Sequence, residues 1–169
     1  MSRARGFTLI ELLVVISVVA LTFGVALERL TRYQELAERT AMEQNLAAIN
    51  VAVTMKFAAL HASGRGHQIE KDVGTNPAHL LARPPENYLG ELHSPDAASL
   101  PRESWYYDRR SGDFVYLPRR TRYLTFPKDS DGNLRFRIVL TEASGEQDGP
   151  REIRQPYLGT VAPFQWAIE

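Results

Sequence analysis

The sequence contains no cysteine among its 169 residues, which excludes disulfide scaffolds, thiolate nucleophiles, iron–sulfur clusters and Cys-ligated zinc. Proline is missing before Pro77, and only Gly6 and Gly24 represent glycine before Ser63. A long helix-compatible front is therefore joined to a turn-rich back. Net charge is lacking as well, since 20 Lys+Arg balance 20 Asp+Glu, and no polyelectrolyte character announces nucleic acid or an acidic surface. The length gives room for one ordinary domain with a modest core and excludes a large multidomain enzyme. No nucleophile elbow, phosphate loop or HExxH string occurs, so the chain reads as a substrate of enzymes and not as an enzyme.

Charge is scarcest from Phe7 to Leu27, where 16 of 21 residues are apolar and Glu11 is the only formal charge. As a helix this run is about 31 Å long, enough to cross the hydrocarbon core of a bilayer. Its 14 Leu, Ile, Val and Phe residues, at roughly −0.3 to −0.6 kcal/mol each, outweigh about +3 kcal/mol for one buried acid. Arg3 and Arg5 precede the run, and Glu28, Arg29 and Arg32 follow it with mixed sign, which favours a cytoplasmic amino terminus with the bulk of the chain outside. Two plainer readings compete. One is a Sec signal peptide ending at Gly24-Val25-Ala26; the other is a simple anchor in which Glu11 is incidental. The length of the run, the acid inside it and a helical pattern that continues past the proposed cut argue against the signal peptide.

An intramembrane carboxylate needs a partner. A cut between Gly6 and Phe7 would create an α-amino group one helical turn before Glu11 and would remove both leader arginines. Such an amine, on the same or a neighbouring helix, neutralises the acid and sets the register of packed helices. The string Arg5-Gly6-Phe7-Thr8-Leu9-Ile10-Glu11-Leu12-Leu13-Val14-Val15-Ile16 resembles the prepilin signal of type IV pilins and type II secretion pseudopilins. That resemblance implies cleavage after Gly6 by a membrane prepilin peptidase, N-methylation of Phe7, and pairing of Glu11 with a neighbour's amino terminus during filament assembly. The mature chain would carry 18 Lys+Arg against 20 Asp+Glu.

From Glu28 to Ala62 nothing breaks a helix, and Met42, Leu46, Ile49, Val53, Phe57 and Leu60 form one apolar stripe at helical period. Leu30, Tyr33 and Ala37 are read as extending it toward the membrane. Glu35, Glu38, Arg39 and Glu43 are placed on the rest of the circumference, with Glu35 and Arg39 as an i, i+4 pair. Gly64 and Gly66 supply the stop. A helix from Phe7 to Ala62 is about 84 Å long, more than the remaining residues can cover. Half of it belongs in lipid or against sister helices.

His67 to Pro101 reads as a loop with a helical turn at Ala78 to Ala82. Strand-like runs follow at Ser104–Tyr107, Phe114–Leu117, Arg122–Phe126, Leu134–Thr141 and Phe164–Ile168. Turns at Ser111-Gly112 and Asp131-Gly132-Asn133 predict an antiparallel meander on the second half of the helix. The expected fold is α+β and pilin-like: leader 1–6, membrane half 7–27, amphipathic half 28–62, and a loop and antiparallel β domain at 63–169. Trp105-Tyr106-Tyr107-Asp108, Phe114-Val115-Tyr116 and Arg135-Phe136-Arg137 are similar to the sheets of some pseudopilins. Many major type IV pilins close their last loop with a disulfide, so the lack of cysteine points to a pseudopilin or a minor pilin.

Asp129, Asp131 and Asn133 place oxygen ligands at alternate positions, a fragment of a calcium loop, and some secretion pseudopilins bind calcium in this region. Glu142, Glu146 and Asp148 lie downstream, and a polar hairpin turn is the simpler reading of the same residues. No other cofactor is expected, and the four histidines lack metal spacing. Between Pro101 and Arg137 nine Lys+Arg exceed five Asp+Glu and alternate with aromatics, a composition that suits single-stranded DNA. In the plainer reading the aromatics fill the core and Arg109, Arg110, Arg119 and Arg120 guard turns and edges. The expected role is a subunit of a type IV pilus-like filament, foremost a type II secretion pseudopilin, held in the bacterial inner membrane with its domain in the periplasm. Its expected partners are other pilin subunits, the prepilin peptidase and methyltransferase, the assembly platform and membrane lipid, with nucleic acid not among them. The alternatives are a minor pilin for adhesion or DNA uptake and a singly anchored periplasmic binding protein.

Overall fold

The computed structural model describes residues 7–128, 130–141 and 155–168. One helix, α1 (Leu9–Ala62), runs unbroken for 54 residues. Thr8 caps its start, the hydroxyl oxygen accepting the Glu11 N–H at 3.3 Å. Thr8 and Glu11 have the Thr-x-x-Glu spacing of a capping box. Within the apolar run, Ser17 and Thr22 donate to the carbonyls of Leu13 and Val18 at 2.8 and 2.6 Å. Their hydroxyls are thereby satisfied without water. At the other end Gly64 adopts φ 71°, and the N–H groups of Gly64 and Arg65 return to the carbonyls of His61 and Leu60 at 3.0 and 2.8 Å. This αL closure fits glycine because no Cβ opposes it.

Among the described residues seven strands follow: β1 (Tyr88–Leu92), β2 (Ser104–Asp108), β3 (Asp113–Leu117), β4 (Leu124–Thr125), β5 (Leu134–Leu140), β6 (Pro156–Thr160) and β7 (Gln165–Trp166). Five form a sheet in the order β1-β2-β3-β5-β6, while β4 and β7 pair separately. The α+β architecture is the expected one, but the sheet is mixed and not a plain meander, because β1 runs parallel to β2. In the stretch from His67 to Pro101, read as a loop with a helical turn at Ala78 to Ala82, that turn is a 3-10 turn at Pro77–Leu80, and a further 3-10 turn at Gly66–Asp72 and β1 are added to it. β1 carries Gly90 and an irregular register, which masks the two-residue alternation by which strands are recognised. β6 was missed for the same kind of reason, since Pro156 opens it and Gly159 interrupts it.

Alternation along the strands makes two faces. Trp105, Phe114, Tyr116, Leu134, Phe136 and Ile138 point toward α1 and pack with Met42, Ile49 and Val53. The rings of Trp105 and Phe114 stack with centroids 4.9 Å apart. On the other face Tyr106, Val115 and Leu117 are covered by Leu92, Ala97 and Leu100. The connection from β1 to β2 therefore crosses the back of the sheet, as a parallel pair requires. Two non-glycine residues with positive φ, Ser94 (47°) and Glu103 (63°), turn the chain at its two ends.

Asp108 fastens the first of these turns. Its carboxylate accepts the N–H groups of Ser94 and Arg110 at 3.1 and 2.9 Å and the Ser111 hydroxyl at 3.2 Å. Burial alone would raise its pKa, yet these hydrogen bonds outweigh burial and hold it below the ordinary 3.8. A depressed folded-state pKa contributes stability above the unfolded value, and that stability is lost as pH falls through the folded one. Asp108→Asn should therefore flatten the acid limb of the stability profile below about pH 4, measured by urea unfolding at stepped pH. Ile49→Ala should cost about 3 kcal/mol in the same assay. Val51→Ala, two residues on and facing outward, should change stability by about 0.5 kcal/mol or less.

Candidate functional site

The first turns of α1 carry the residues singled out in the sequence. Phe7 and Glu11 are exposed, as is every residue from Phe7 to Gln34. The ion pairs of the described residues all lie from Glu28 onward, so Glu11 has no cationic partner among them. The apolar part of α1 is long and hydrophobic enough to cross a membrane, and none of it is buried by the domain. A family model described as the prokaryotic N-terminal methylation motif matches residues 1–27. The chain carries a prepilin-type segment. This signature of type IV pilins and pseudopilins implies processing by a prepilin peptidase and assembly with other pilin subunits. No curated protein and no solved structure matches the chain.

Behind the prepilin-type segment, α1 meets the sheet through acids that the sequence reading placed on the wrong face. Glu35 and Glu38 are buried at 1% and 3% exposure, whereas Leu30, Tyr33 and Ala37 face outward. The five-residue step from Ala37 to Met42 turns away from the stripe. Steps of four and three back from Met42 give Glu38 and Glu35, so the register that located Ile49 and Val53 also located these acids. Arg39 pairs with Glu43 at 2.7 Å and not with Glu35; its guanidinium also donates to the Trp166 carbonyl.

The two carboxylates grip the chain between β3 and β4. Glu38 Oε1 accepts the Arg119 N–H at 2.7 Å and the Tyr116 hydroxyl at 3.2 Å, while Oε2 accepts the Arg120 N–H and guanidinium at 3.2 and 3.1 Å. Glu35 Oε1 accepts the Tyr123 N–H and the Trp166 indole N–H, both at 2.9 Å. Burial, reinforced by Glu38, pushes the Tyr116 phenol far above its ordinary pKa, so it remains a donor. Arg120 also lies 3.7 Å from Glu103, linking the clamp to the positive-φ residue that opens β2. Farther along, Asn50 Oδ1 accepts the Leu158 N–H at 2.8 Å and ties α1 to β6.

Among the described residues nothing covers the other face of α1. Tyr33, Ala37, Thr40, Gln44, Ala47, Val51 and Met55 recur at helical steps, all exposed and none charged. Val51 and Met55 are 54% and 68% exposed. An uncharged ridge thus continues from the prepilin-type segment to the far end of the helix.

Of the remaining sequence candidates, the described ones serve other contacts. Asp129 lies outside the described residues, as do Glu142, Glu146 and Asp148. Asp131 accepts the Asn133 N–H at 3.1 Å and pairs with Arg135, and Asn133 Oδ1 accepts from Arg102 at 3.3 Å. These contacts build the turn before β5. Among the described residues no group of three His, Cys, Asp or Glu is placed to hold a metal. Trp105, Tyr106, Phe114, Tyr116 and Phe136, read as an alternative stacking platform, are buried. Arg109, Arg119, Arg120, Arg135 and Arg137 all lie in ion pairs. Glu38→Ala, which orphans two backbone donors, the Tyr116 hydroxyl and a guanidinium, should lower unfolding free energy by about 3 kcal/mol or more. Glu43→Ala, on an exposed i, i+4 pair, should change it by about 0.5 kcal/mol or less; urea titration of both variants checks the contrast.

Proposed function

We propose that the protein is a subunit of a type IV pilus-like filament, most simply a type II secretion pseudopilin, and that it acts by assembly and not by catalysis. The observation that carries this reading is the conjunction of the prepilin-type segment with an α1 whose first half is wholly exposed and whose second half seats a small sheet. The apolar stem waits in the inner membrane with its amino terminus cytoplasmic and its domain periplasmic, and in the filament it exchanges lipid for sister helices. Cleavage between Gly6 and Phe7 and methylation of the new amine leave a cation that meets Glu11 of a neighbour. In a non-aqueous bundle an unmatched acid is penalised by several kcal/mol, so the pair fixes axial register. The exposed ridge through Val51 and Met55 extends the surface available for such packing beyond the membrane.

Co-expression with a prepilin peptidase should yield a chain beginning with N-methylated Phe7, detected by mass spectrometry of the amino-terminal peptide. Glu11→Ala should still be processed and inserted but should reduce incorporation into sheared filaments by about tenfold or more, and filament assembly at the wild-type level would end the register mechanism.

A further inference from the structure

We propose that the membrane-proximal rim of the molecule, formed by Arg29 and Arg32 of α1 and Arg122 of the 118–123 loop, binds the phosphates of anionic lipid headgroups and seats the domain on the bilayer before assembly. The proposal rests on the reading of Phe7–Leu27 as a membrane span. Arg29 and Arg32 stand two and five residues beyond Leu27, about 3 and 7.5 Å along the helix axis. The polar layer on each side of a bilayer is about 5–7.5 Å deep, so Arg29 belongs within it and Arg32 at its outer edge, where a long guanidinium side chain reaches back.

Arg122 reaches the same level from the domain. Its Nη2 lies 3.9 Å from Glu28 Oε1, one residue beyond the apolar run. The loop cannot swing away, because the neighbouring Tyr123 N–H is held by buried Glu35 at 2.9 Å. All three arginines are exposed. Among the described residues Glu28 is the one carboxylate in ion-pair range of any of them, which leaves three cations against one anion. Exposed Leu30 and Tyr33 lie beside them on α1, and a tyrosine at this depth suits an interface where one end of the ring is apolar and the other wet. Guanidinium groups match phosphate oxygens two at a time. Acidic groups of a protein partner are the rival occupant, and the depth of the rim favours lipid while the stem is in the membrane.

The absence of cysteine allows a direct test on the full chain. Thr121→Cys, on the exposed loop tip, carries an environment-sensitive fluorophore, and Val18→Cys reports separately on the span. The chain is reconstituted in vesicles of phosphatidylcholine alone or mixed with phosphatidylglycerol, doped with headgroup or acyl-chain nitroxide quenchers. Headgroup quenching at position 121 should be markedly stronger in the anionic vesicles and should fall at high salt. Replacing Arg29, Arg32 and Arg122 together by Gln should shift the seated equilibrium by on the order of tenfold or more, each arginine near an anionic surface being worth about fivefold. The corresponding triple Lys variant should retain the salt-sensitive part of the effect and lose the part that depends on two-point phosphate contacts. Equal quenching in both vesicle types, insensitive to salt and to the Gln variant, would overturn the proposal and assign the rim to a protein partner. A position 18 probe that acyl-chain quenchers do not reach would instead overturn the spanning reading, and this proposal with it.

Discussion

The hydrophobic effect acting on one unbroken helix governs the rest of the structure. Fourteen Leu, Ile, Val and Phe residues between Phe7 and Leu27 cannot remain in water, yet the domain buries none of them. Burial of such side chains is worth about 1.5–3 kcal/mol each. The stem is therefore suited to lipid or to packing against other apolar helices, the two surroundings that the proposed assembly would exchange. Thr8 capping and the internal bonds of Ser17 and Thr22 serve the same end, because among the polar side chains of the run they leave the Glu11 carboxylate to be matched from outside.

The second half of α1 solves a different problem. A domain joined to a rod needs a fixed seat, and a purely apolar stripe permits sliding by one turn. Glu35 and Glu38 remove that freedom. Their oxygens accept from three backbone N–H groups, a phenol, an indole and a guanidinium, and a shift by one helical turn would strand all of these at once. Buried acids of this kind contribute more to specificity of arrangement than to net stability. Asn50 repeats the device at β6, so the domain is keyed to the helix at both ends of the contact.

Much of this was legible from residue order. The Phe7–Leu27 run, the stripe through Met42, Ile49 and Val53, the αL stop at Gly64 and the strand of Leu134, Phe136 and Ile138 each announce themselves by a period or by a turn residue. What escaped did so for physical reasons. Glu35 and Glu38 occupy stripe positions, but their charge outweighs their spacing in any reading that places acids in water. The parallel β1 depends on the β2–β3 hairpin as its template, and its Gly90 irregularity erases alternation. Glu11 was found by the opposite logic, as a charge where none belongs, and its partner lies outside the single chain. The rim arginines carry no periodic signal at all; they converge only because the Glu35 contact brings the 118–123 loop down to the helix.

The contacts that close the domain join distant parts of the chain: Trp166 returns to Glu35 across 131 positions, and Leu158 to Asn50 across 108. Chain closure over such separations is slow, since loop entropy is lost before any contact compensates it. During synthesis α1 precedes its seat, and the face through Met42, Ile49 and Val53 stays bare until β2, β3 and β5 follow. Closure of the domain is therefore completed late: a polypeptide halted before β7 would lack the Trp166 indole that donates to Glu35 and the strand that pairs with β4, a partly closed form suited to chaperone capture or proteolysis.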